Sequence, residues 1–95
     1  MPASPAITIH VPRELRGYCG GASQVFVSAE SVRAALLALE RLHPLVYGGV
    51  CDETGTVRRH INLFVNSTHI REREGLDTGL VPGDAFIILP AVSGG

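Results

Sequence analysis

The sequence predicts an α+β fold in which a mixed β-sheet packs against one main helix. Three short segments alternate apolar and polar residues, which is the period of a half-buried strand, and a fourth strand is predicted near the carboxyl terminus. Between the second and third of these segments lies one stretch whose apolar residues recur at helical spacing. Because the strands and the helix must cover each other's apolar faces, this order predicts a helix packed across a sheet.

Size and composition indicate a single small domain. The chain has 95 residues, of which 45% are hydrophobic, and 8 basic residues nearly balance 9 acidic ones. This balance offers no electrostatic attraction for a nucleic acid or an anionic membrane. No apolar run approaches the roughly 20 residues of a membrane span, and the first residues lack the pattern of a signal peptide. We therefore expect a soluble, cytoplasmic domain whose two cysteines remain reduced thiols.

The amino-terminal part contributes two strands. Residues 6–11 and 24–28 each alternate apolar and polar side chains, and their proximity in the chain favours antiparallel pairing. Pro12 ends the first strand. The glycine-rich stretch between the two strands, residues 13–23, has no periodicity and is predicted to be a loop.

The helix is predicted from about residue 30 onward. Ser28 or Ser31 can cap its start, and Pro44 forces it to end near residue 42. The predicted apolar stripe consists of Val32, Ala35, Leu36, Leu39 and Leu42.

In the carboxyl-terminal part, residues 61–66 alternate again and are predicted to be a strand. Residues 85–89, which follow a predicted turn, are predicted to be the last strand. Residues 45–50 contain two adjacent glycines and are predicted to be a short strand or irregular structure. Residues 76–80 are predicted to be a short helix or 3₁₀ turn. Turns are predicted at residues 52–55, 66–68 and 82–84.

A mixed sheet wrapped on one helix is the β-grasp, or ubiquitin-like, arrangement. A ferredoxin-like fold would need a second helix before the last strand, and Gly75 and Gly79 interrupt the only available segment, residues 71–80. The sequence therefore predicts a β-grasp domain over residues 1–89, followed by a flexible carboxyl-terminal tail over residues 90–95.

No set of side chains in the sequence is typical of a catalytic or metal site. The four histidines show no metal-ligand spacing among themselves or with the cysteines. The segment Gly17-Tyr18-Cys19-Gly20-Gly21 lacks the spacing of a phosphate-binding loop, and no basic residue flanks Cys19 closely enough to activate its thiol. We expect neither an enzyme nor a bound cofactor or metal.

The Gly94-Gly95 pair is the feature that points to chemistry. Six residues from Pro90 onward reach at most about 20 Å beyond the domain. Because glycine has no side chain, such a terminus can enter a narrow tunnel in another protein, with Val92, Ser93 and Gly94 threading it. The Gly95 carboxylate is a poor electrophile and would need activation, for instance as a mixed anhydride with AMP.

The stretch from His60 to Gly95 resembles the ubiquitin-like sulfur carrier proteins, a family that includes the small subunit of molybdopterin synthase and the thiamin sulfur carrier. The segment Pro12 to Gly21 is similar to the P-x-x-LR-x-Y/H-T-GG pattern of the branch that serves cysteine biosynthesis. The sequence departs from the family at Cys19, where threonine is usual, and at Ser93, where alanine is usual. The family's F/YVN strand, GL-T-L-GD turn and LPAVAGG ending correspond to Phe64-Val65-Asn66, Gly75-Leu76-Asp77-Thr78, Gly83-Asp84 and Leu89-Pro90-Ala91-Val92-Ser93-Gly94-Gly95.

The resemblance implies a sulfur-transfer cycle. A ubiquitin-activating-type adenylyltransferase and sulfurtransferase would use ATP to adenylate the carboxylate of Gly95, and a sulfur donor would convert it to a thiocarboxylate, a 1-thioglycine. An acceptor enzyme, such as a pyridoxal-phosphate-dependent cysteine synthase, would receive the sulfur, and a metalloprotease would trim the adduct. The final product, cysteine or a specialised sulfur metabolite, is decided by that acceptor and stays open.

A ubiquitin-like protein modifier, or a β-grasp interaction module, is the alternative hypothesis. All eight basic residues are arginines, so copies of this chain cannot be joined to one another through lysine side chains. The absence of lysine favours the carrier over a polymeric modifier.

Strand alternation also predicts an exposed apolar patch. In residues 61–66 the inward positions are Ile, Leu and Val, which leaves Phe64 outward. Taking every second residue in the same way in the other strands places Phe26, Ile87 and Leu89 outward. Because exposed apolar patches usually mark interaction sites, we expect these four side chains to dock a partner.

Overall fold

The computed structural model describes residues 5–91 of the chain. No helix in this part of the chain is long and apolar enough to cross a membrane. In chain order the elements are β1 (Ala6–His10), β2 (Gln24–Ser28), α1 (Val32–Leu42), α2 (Pro44–Val50), β3 (Ile61–Val65), β4 (Thr68–His69) and β5 (Ala85–Pro90). Three 3₁₀ helices lie between them, at Arg13–Cys19, Ile70–Glu72 and Gly75–Asp77.

The five strands form one mixed sheet in the order β2-β1-β5-β3-β4. β1 and β5 run parallel, with Thr8 opposite Ala85, and the other neighbouring strands are antiparallel. The β-grasp fold predicted from the sequence is confirmed. The structure adds to it the short strand β4 and the second helix α2.

The core lies between the inner face of the sheet and α1. The alternation seen in the sequence directs every second strand residue into it, and Phe86 and Ile9 are fully enclosed. The buried strand residues are Ile7, Ile9, Val25, Val27, Ile61, Leu63, Val65, Phe86 and Ile88, and α1 contributes Val32, Ala35, Leu36, Ala38 and Leu39.

Ser31, and not Ser28, caps α1. Its backbone is extended, and its hydroxyl oxygen accepts a hydrogen bond from the N–H of Ala34 at 3.1 Å. Ser28 instead lies within β2. The predicted choice between the two serines is therefore settled by where β2 ends.

The prediction that Leu42 belongs to the buried stripe is wrong. The first four members of the stripe are buried, whereas Leu42 is 55% exposed. Leu42 is the last residue of α1 and borders a surface groove with Phe26 of β2. At that point the helix reaches the edge of the sheet, so its apolar face no longer has a strand to cover it.

The prediction of a short strand or irregular structure for residues 45–50 is also wrong, because these residues belong to α2. Pro44 occupies the first turn, where its fixed φ suits a helix. Val46 and Val50, one turn apart, are completely buried. Their burial overrides the weak helix propensity of Gly48 and Gly49.

The predicted loop at residues 13–23 contains a 3₁₀ helix instead. It ends at Gly20, whose φ of 70° is left-handed and whose N–H donates to the Arg16 carbonyl. Leu15 of this helix packs so close to Gly49 of α2 that a β-carbon there would overlap its side chain. Cys19 is buried, and its thiol faces the carbonyl of Ala22 at 3.4 Å.

Replacing the cap of α1 should lower stability. We expect Ser31→Ala to reduce the free energy of unfolding by about 1 kcal/mol, because the N–H of Ala34 loses its side-chain acceptor. Urea denaturation with fluorescence or circular dichroism measures the change. Ser28→Ala is the control and should stay within about 0.5 kcal/mol of the wild type; equal losses in both variants would contradict the assignment.

The two glycines of α2 should respond differently to alanine. At Gly48 a β-carbon meets open space, so Gly48→Ala should raise the free energy of unfolding by up to about 1 kcal/mol through helix propensity. At Gly49 the added carbon meets the side chain of Leu15, and the gain should be cancelled or reversed. Thermal unfolding of the pair makes the comparison, and equal stabilisation of both variants would be inconsistent with this packing.

Candidate functional site

The last strand leads toward the carboxyl terminus from inside the sheet. β5 lies between β1 and β3, with Pro90 opposite Ile61, so the strand runs one residue past its predicted end. The N–H of Ala91 donates to the carbonyl of His60, which holds the chain up to that point. The residues predicted to enter a partner's active site lie outside the described part of the chain: Val92, Ser93, Gly94 and Gly95.

Three of the four predicted docking residues lie together on the outer face of the sheet. Phe64 of β3 is directly opposite Ile87 of β5, and Asn62 is opposite Leu89. Side chains opposite each other in an antiparallel pair are in contact distance. Leu89 is 46% exposed, and the other three are half-buried. We call Asn62, Phe64, Ile87 and Leu89 the β3–β5 patch.

His69 of β4 supports one side of the β3–β5 patch. Its ring packs edge-on against Phe64, with the ring centroids 5.1 Å apart. Its Nδ1 accepts the N–H of Arg71 at 2.9 Å, so in the neutral ring the proton is on Nε2, which donates to Asn62 Oδ1 at 3.2 Å. His69 therefore holds both β3 members of the patch in place.

This role of His69 was missed in the sequence, where the histidine stands alone. The signal that could have found it is the turn before it. Asn66 and Ser67 form a two-residue connection between β3 and β4, and Asn66 has a positive φ of 56°. Asparagine is favoured in such tight hairpin turns, and a two-residue hairpin there places Phe64 opposite His69.

Phe26, the fourth predicted docking residue, is separated from the β3–β5 patch. It lies on the edge strand β2, opposite Thr8, and Thr8 in turn is opposite Ala85. With β1 between them, β2 and β5 are about 10 Å apart. The 71% exposed side chain of Phe26 thus lies on the same outer face as Ile87 but two strands away from it.

Two residues of the family motifs have a structural role. The Asn66 side chain donates to Asp84 Oδ1 at 3.0 Å and accepts the N–H of Ala85 at 3.1 Å. Asp84 Oδ2 accepts the N–H of Val81 at 2.9 Å, which closes the turn at Gly83. Together these hydrogen bonds fix where β5 begins relative to β3, and hence which β5 side chains reach the patch.

A depression of about 430 Å³ lies beside β4 and adjoins the end of β5 through Ile61. Its floor is apolar and its rim carries three arginines: Arg58, Arg59 and Arg71. In residues 5–91 the single ion pair joins Arg33 and Asp77 at 3.1 Å, so none of the three rim arginines forms an ion pair there. Arg58 is nevertheless partly engaged: its Nε donates to the Gly48 carbonyl at 2.8 Å, and hydrogen bonds from Thr54 and, to a smaller extent, the charge of Arg58 lower the pKa of Asp52. The surface near the carboxyl-terminal end of β5 is therefore suited to acidic side chains of a partner.

Both cysteines are free and buried. Burial raises the pKa of the Cys51 thiol, which lowers the fraction of nucleophilic thiolate at neutral pH. Within the described residues, no group of three or more His, Cys, Asp or Glu side chains is arranged to hold a metal ion.

Comparison with known proteins places these features in a family. The family model described as the ThiS family matches residues 9–95. The sulfur carrier protein CysO of Mycobacterium tuberculosis is 33% identical over 91 residues, which cover 94% of this chain and 98% of that protein.

Solved structures of similar proteins share the fold. A chain in the crystal structure of the BexX/CysO complex from Amycolatopsis orientalis superposes with a TM-score of 0.84 and 31% identity, covering 94% of this chain and 99% of that chain. The solution structure of small archaeal modifier protein 1 from Methanosarcina acetivorans gives a TM-score of 0.82 at 30% identity and covers 100% of both chains. Because the family match extends from β1 through the residues that follow β5, this chain belongs to the ThiS family of ubiquitin-like sulfur carrier proteins.

Proposed function

We propose that this chain carries sulfur as a thiocarboxylate on Gly95. The observation that supports the proposal best is the family match, which runs through Gly95 and is accompanied by 33% identity to a CysO sulfur carrier along nearly the full length of both proteins. Transfer of sulfur in cysteine biosynthesis, or in a specialised pathway, is the role that follows from this likeness.

The position of β5 supports a terminus that acts in a partner's active site. The chain is held in the sheet until Ala91 by its backbone hydrogen bond to His60. The four residues that follow span at most about 13 Å when extended. With a fixed starting point and this reach, docking of the domain on a partner would keep Gly95 within that distance of the end of β5.

The chemistry needs two partner-catalysed steps. In the first, a carboxylate oxygen of Gly95 attacks the α-phosphorus of ATP, pyrophosphate leaves, and a mixed anhydride with AMP forms. In the second, a sulfide-level sulfur donor attacks the anhydride carbonyl and AMP leaves, which produces the thiocarboxylate. The thiocarboxylate sulfur is then the nucleophile toward the acceptor substrate, so this chain is a carried substrate and binds no cofactor of its own.

The partners follow from these steps. In Amycolatopsis orientalis a CysO forms a complex with BexX. For this chain we propose two partner enzymes. The first is an adenylating enzyme of the ubiquitin-activating type, which would bind the β3–β5 patch. The second is an acceptor such as a pyridoxal-phosphate-dependent cysteine synthase. A metalloprotease that trims the adduct would complete the cycle. Two free thiols and the need for ATP are consistent with a protein that functions in the cytoplasm.

The modifier alternative is not favoured. One structural relative is named a small archaeal modifier protein, but the family match and the curated relatives are sulfur carriers. In this chain no lysine is available for joining copies to one another.

Intact-mass measurement tests the thiocarboxylate. After incubation with ATP, the adenylating enzyme and a sulfide donor, the protein should gain the mass difference between sulfur and oxygen, and fragmentation should place the gain on Gly95. A variant lacking Gly95 should show no gain and should keep its thermal transition, because one terminal residue beyond the sheet contributes little to stability.

Other outcomes would be distinguishable. A persulfide on Cys19 or Cys51 would add a whole sulfur atom and would be removed by a reducing agent. A gain of that kind, or sulfur uptake by the variant lacking Gly95, would contradict the proposal. An enzyme preparation shown to charge another carrier serves as the positive control.

Substitution in the β3–β5 patch tests docking. Leu89→Asp should weaken binding to the adenylating enzyme about tenfold or more, because it places a charge in an apolar contact. Leu37→Asp on α1 is the matched control, since Leu37 is 53% exposed and Leu89 46%. Isothermal titration calorimetry measures both, and equal affinities for the two variants would place the docking surface elsewhere.

A further inference from the structure

β2 is an edge strand without the features that usually protect one. It stands at one end of the sheet order and pairs with β1 over five consecutive residues without a bulge. Its sequence, Gln-Val-Phe-Val-Ser, contains no charge and no proline. Natural edge strands are normally blunted by charges, prolines, bulges or shortness. The opposite edge, β4, conforms to this rule because it is only two residues long.

The free hydrogen-bonding groups of β2 can be identified from its pairing with β1. Just outside the strand, Ser23 accepts the N–H of Val11, and the N–H of Ala29 donates to Pro5, so these two residues turn their backbone groups toward β1. Along a strand, the side toward which the backbone N–H and C=O groups point alternates from one residue to the next. Val25 and Val27 therefore also face β1, and the backbone groups of three residues face outward: Gln24, Phe26 and Ser28.

These three residues are spaced symmetrically about Phe26. We propose that β2 pairs with β2 of a second copy of this chain, antiparallel and with the two-fold axis at Phe26. In that register Phe26 is opposite Phe26, and Gln24 is opposite Ser28. All outward N–H and C=O groups of the three residues then pair, which gives six backbone hydrogen bonds across the contact.

The side chains suit the same register. Phe26, which is 71% exposed, would pack against its own copy, and such aromatic cross-strand pairs are stabilising. Val25 would lie opposite Val27 on the inner face, and Gln24 opposite Ser28 on the outer face. Glu30, the charged residue nearest to β2 along the sequence, would be opposite Ala22, so the paired strands set no like charges opposite each other.

A groove beside β2 would be covered by the second copy. It measures about 480 Å³ and is bordered by Phe26 and Val27 of β2 and by Arg41 and Leu42 of α1. Leu42 is 55% exposed although it continues the apolar stripe of α1. A neighbouring strand on the β2 edge would supply the cover that the isolated sheet lacks at this position.

The pairing leaves the carrier surface free. The β3–β5 patch and the exit of β5 lie beyond β1, on the other side of the sheet order from β2. Two domains would share one sheet and present two separate termini. The inference therefore does not depend on the sulfur-carrier proposal and can fail without affecting it.

Cysteine cross-linking tests the register. Residues directly opposite in a hydrogen-bonded antiparallel pair have Cα atoms about 5.5 Å apart, within the range of a disulfide. Phe26→Cys should therefore form a disulfide-linked dimer rapidly with oxidised glutathione as the two-electron oxidant. Ser28→Cys is the matched control on the same exposed edge, because its two copies would be about 14 Å apart and cannot join.

Two further samples complete the cross-linking test. A mixture of Gln24→Cys and Ser28→Cys chains should join to each other, because these positions are opposite in the proposed register. The wild type, whose two cysteines are buried, should form no linked dimer. Linkage of Ser28→Cys as fast as Phe26→Cys would overturn the register.

Sedimentation equilibrium tests association without any cross-link. Because one short strand makes a small interface, wild-type dimer should become populated only as the concentration rises toward about 1 mM. Phe26→Arg should remain monomeric, since it would set two like charges face to face, and Leu37→Arg on α1 should behave as the wild type. A wild type that stays monomeric at about 1 mM would overturn the proposal. The free edge of β2 would then be a site for an extended segment of another protein.

Discussion

The parallel pairing of β1 with β5 is the contact on which the rest of the structure depends. It joins residues near the two ends of the chain, and it makes β2 and β3 run in the same direction on either side of the central pair. Strands that run in the same direction need a crossing connection, and α1 supplies it across the inner face. The helix and the central strands therefore cover the same core, around Phe86.

The same pairing decides what the surface offers. Because β5 is an inner strand, the residues leading to the terminus leave from within the sheet, beside the β3–β5 patch. Asn66 and Asp84, which belong to the family motifs, hold β5 in register with β3 by side-chain hydrogen bonds. These motif residues have a structural role: they set the position from which the last residues of the chain start, whereas the sulfur chemistry is proposed for Gly95.

Most of the fold and half of the candidate site were predictable because their signals are local. Alternation with a period of two identified three of the five strands, the turn before it located β5, and a period of 3.6 identified α1. The same alternation correctly predicted that Phe64, Ile87 and Leu89 face outward. The role of His69 was not predictable in this way, since β4 is only two residues long and shows no alternation of its own. The roles of residues 92–95 rest on the family motif alone.

The sequence by itself determined which residues face inward or outward in the predicted strands and along α1 up to Leu39, because that depends on neighbours two to four positions away. Only the tertiary structure decided how the elements meet. Burial of Val46 and Val50 made a helix of α2 despite its two glycines. Strand order, which alternation does not encode, separated Phe26 from the β3–β5 patch and exposed it on an edge, because β1 and not β2 is the neighbour of β5. Contacts between residues far apart in the chain depend on this order, and no local pattern carries it.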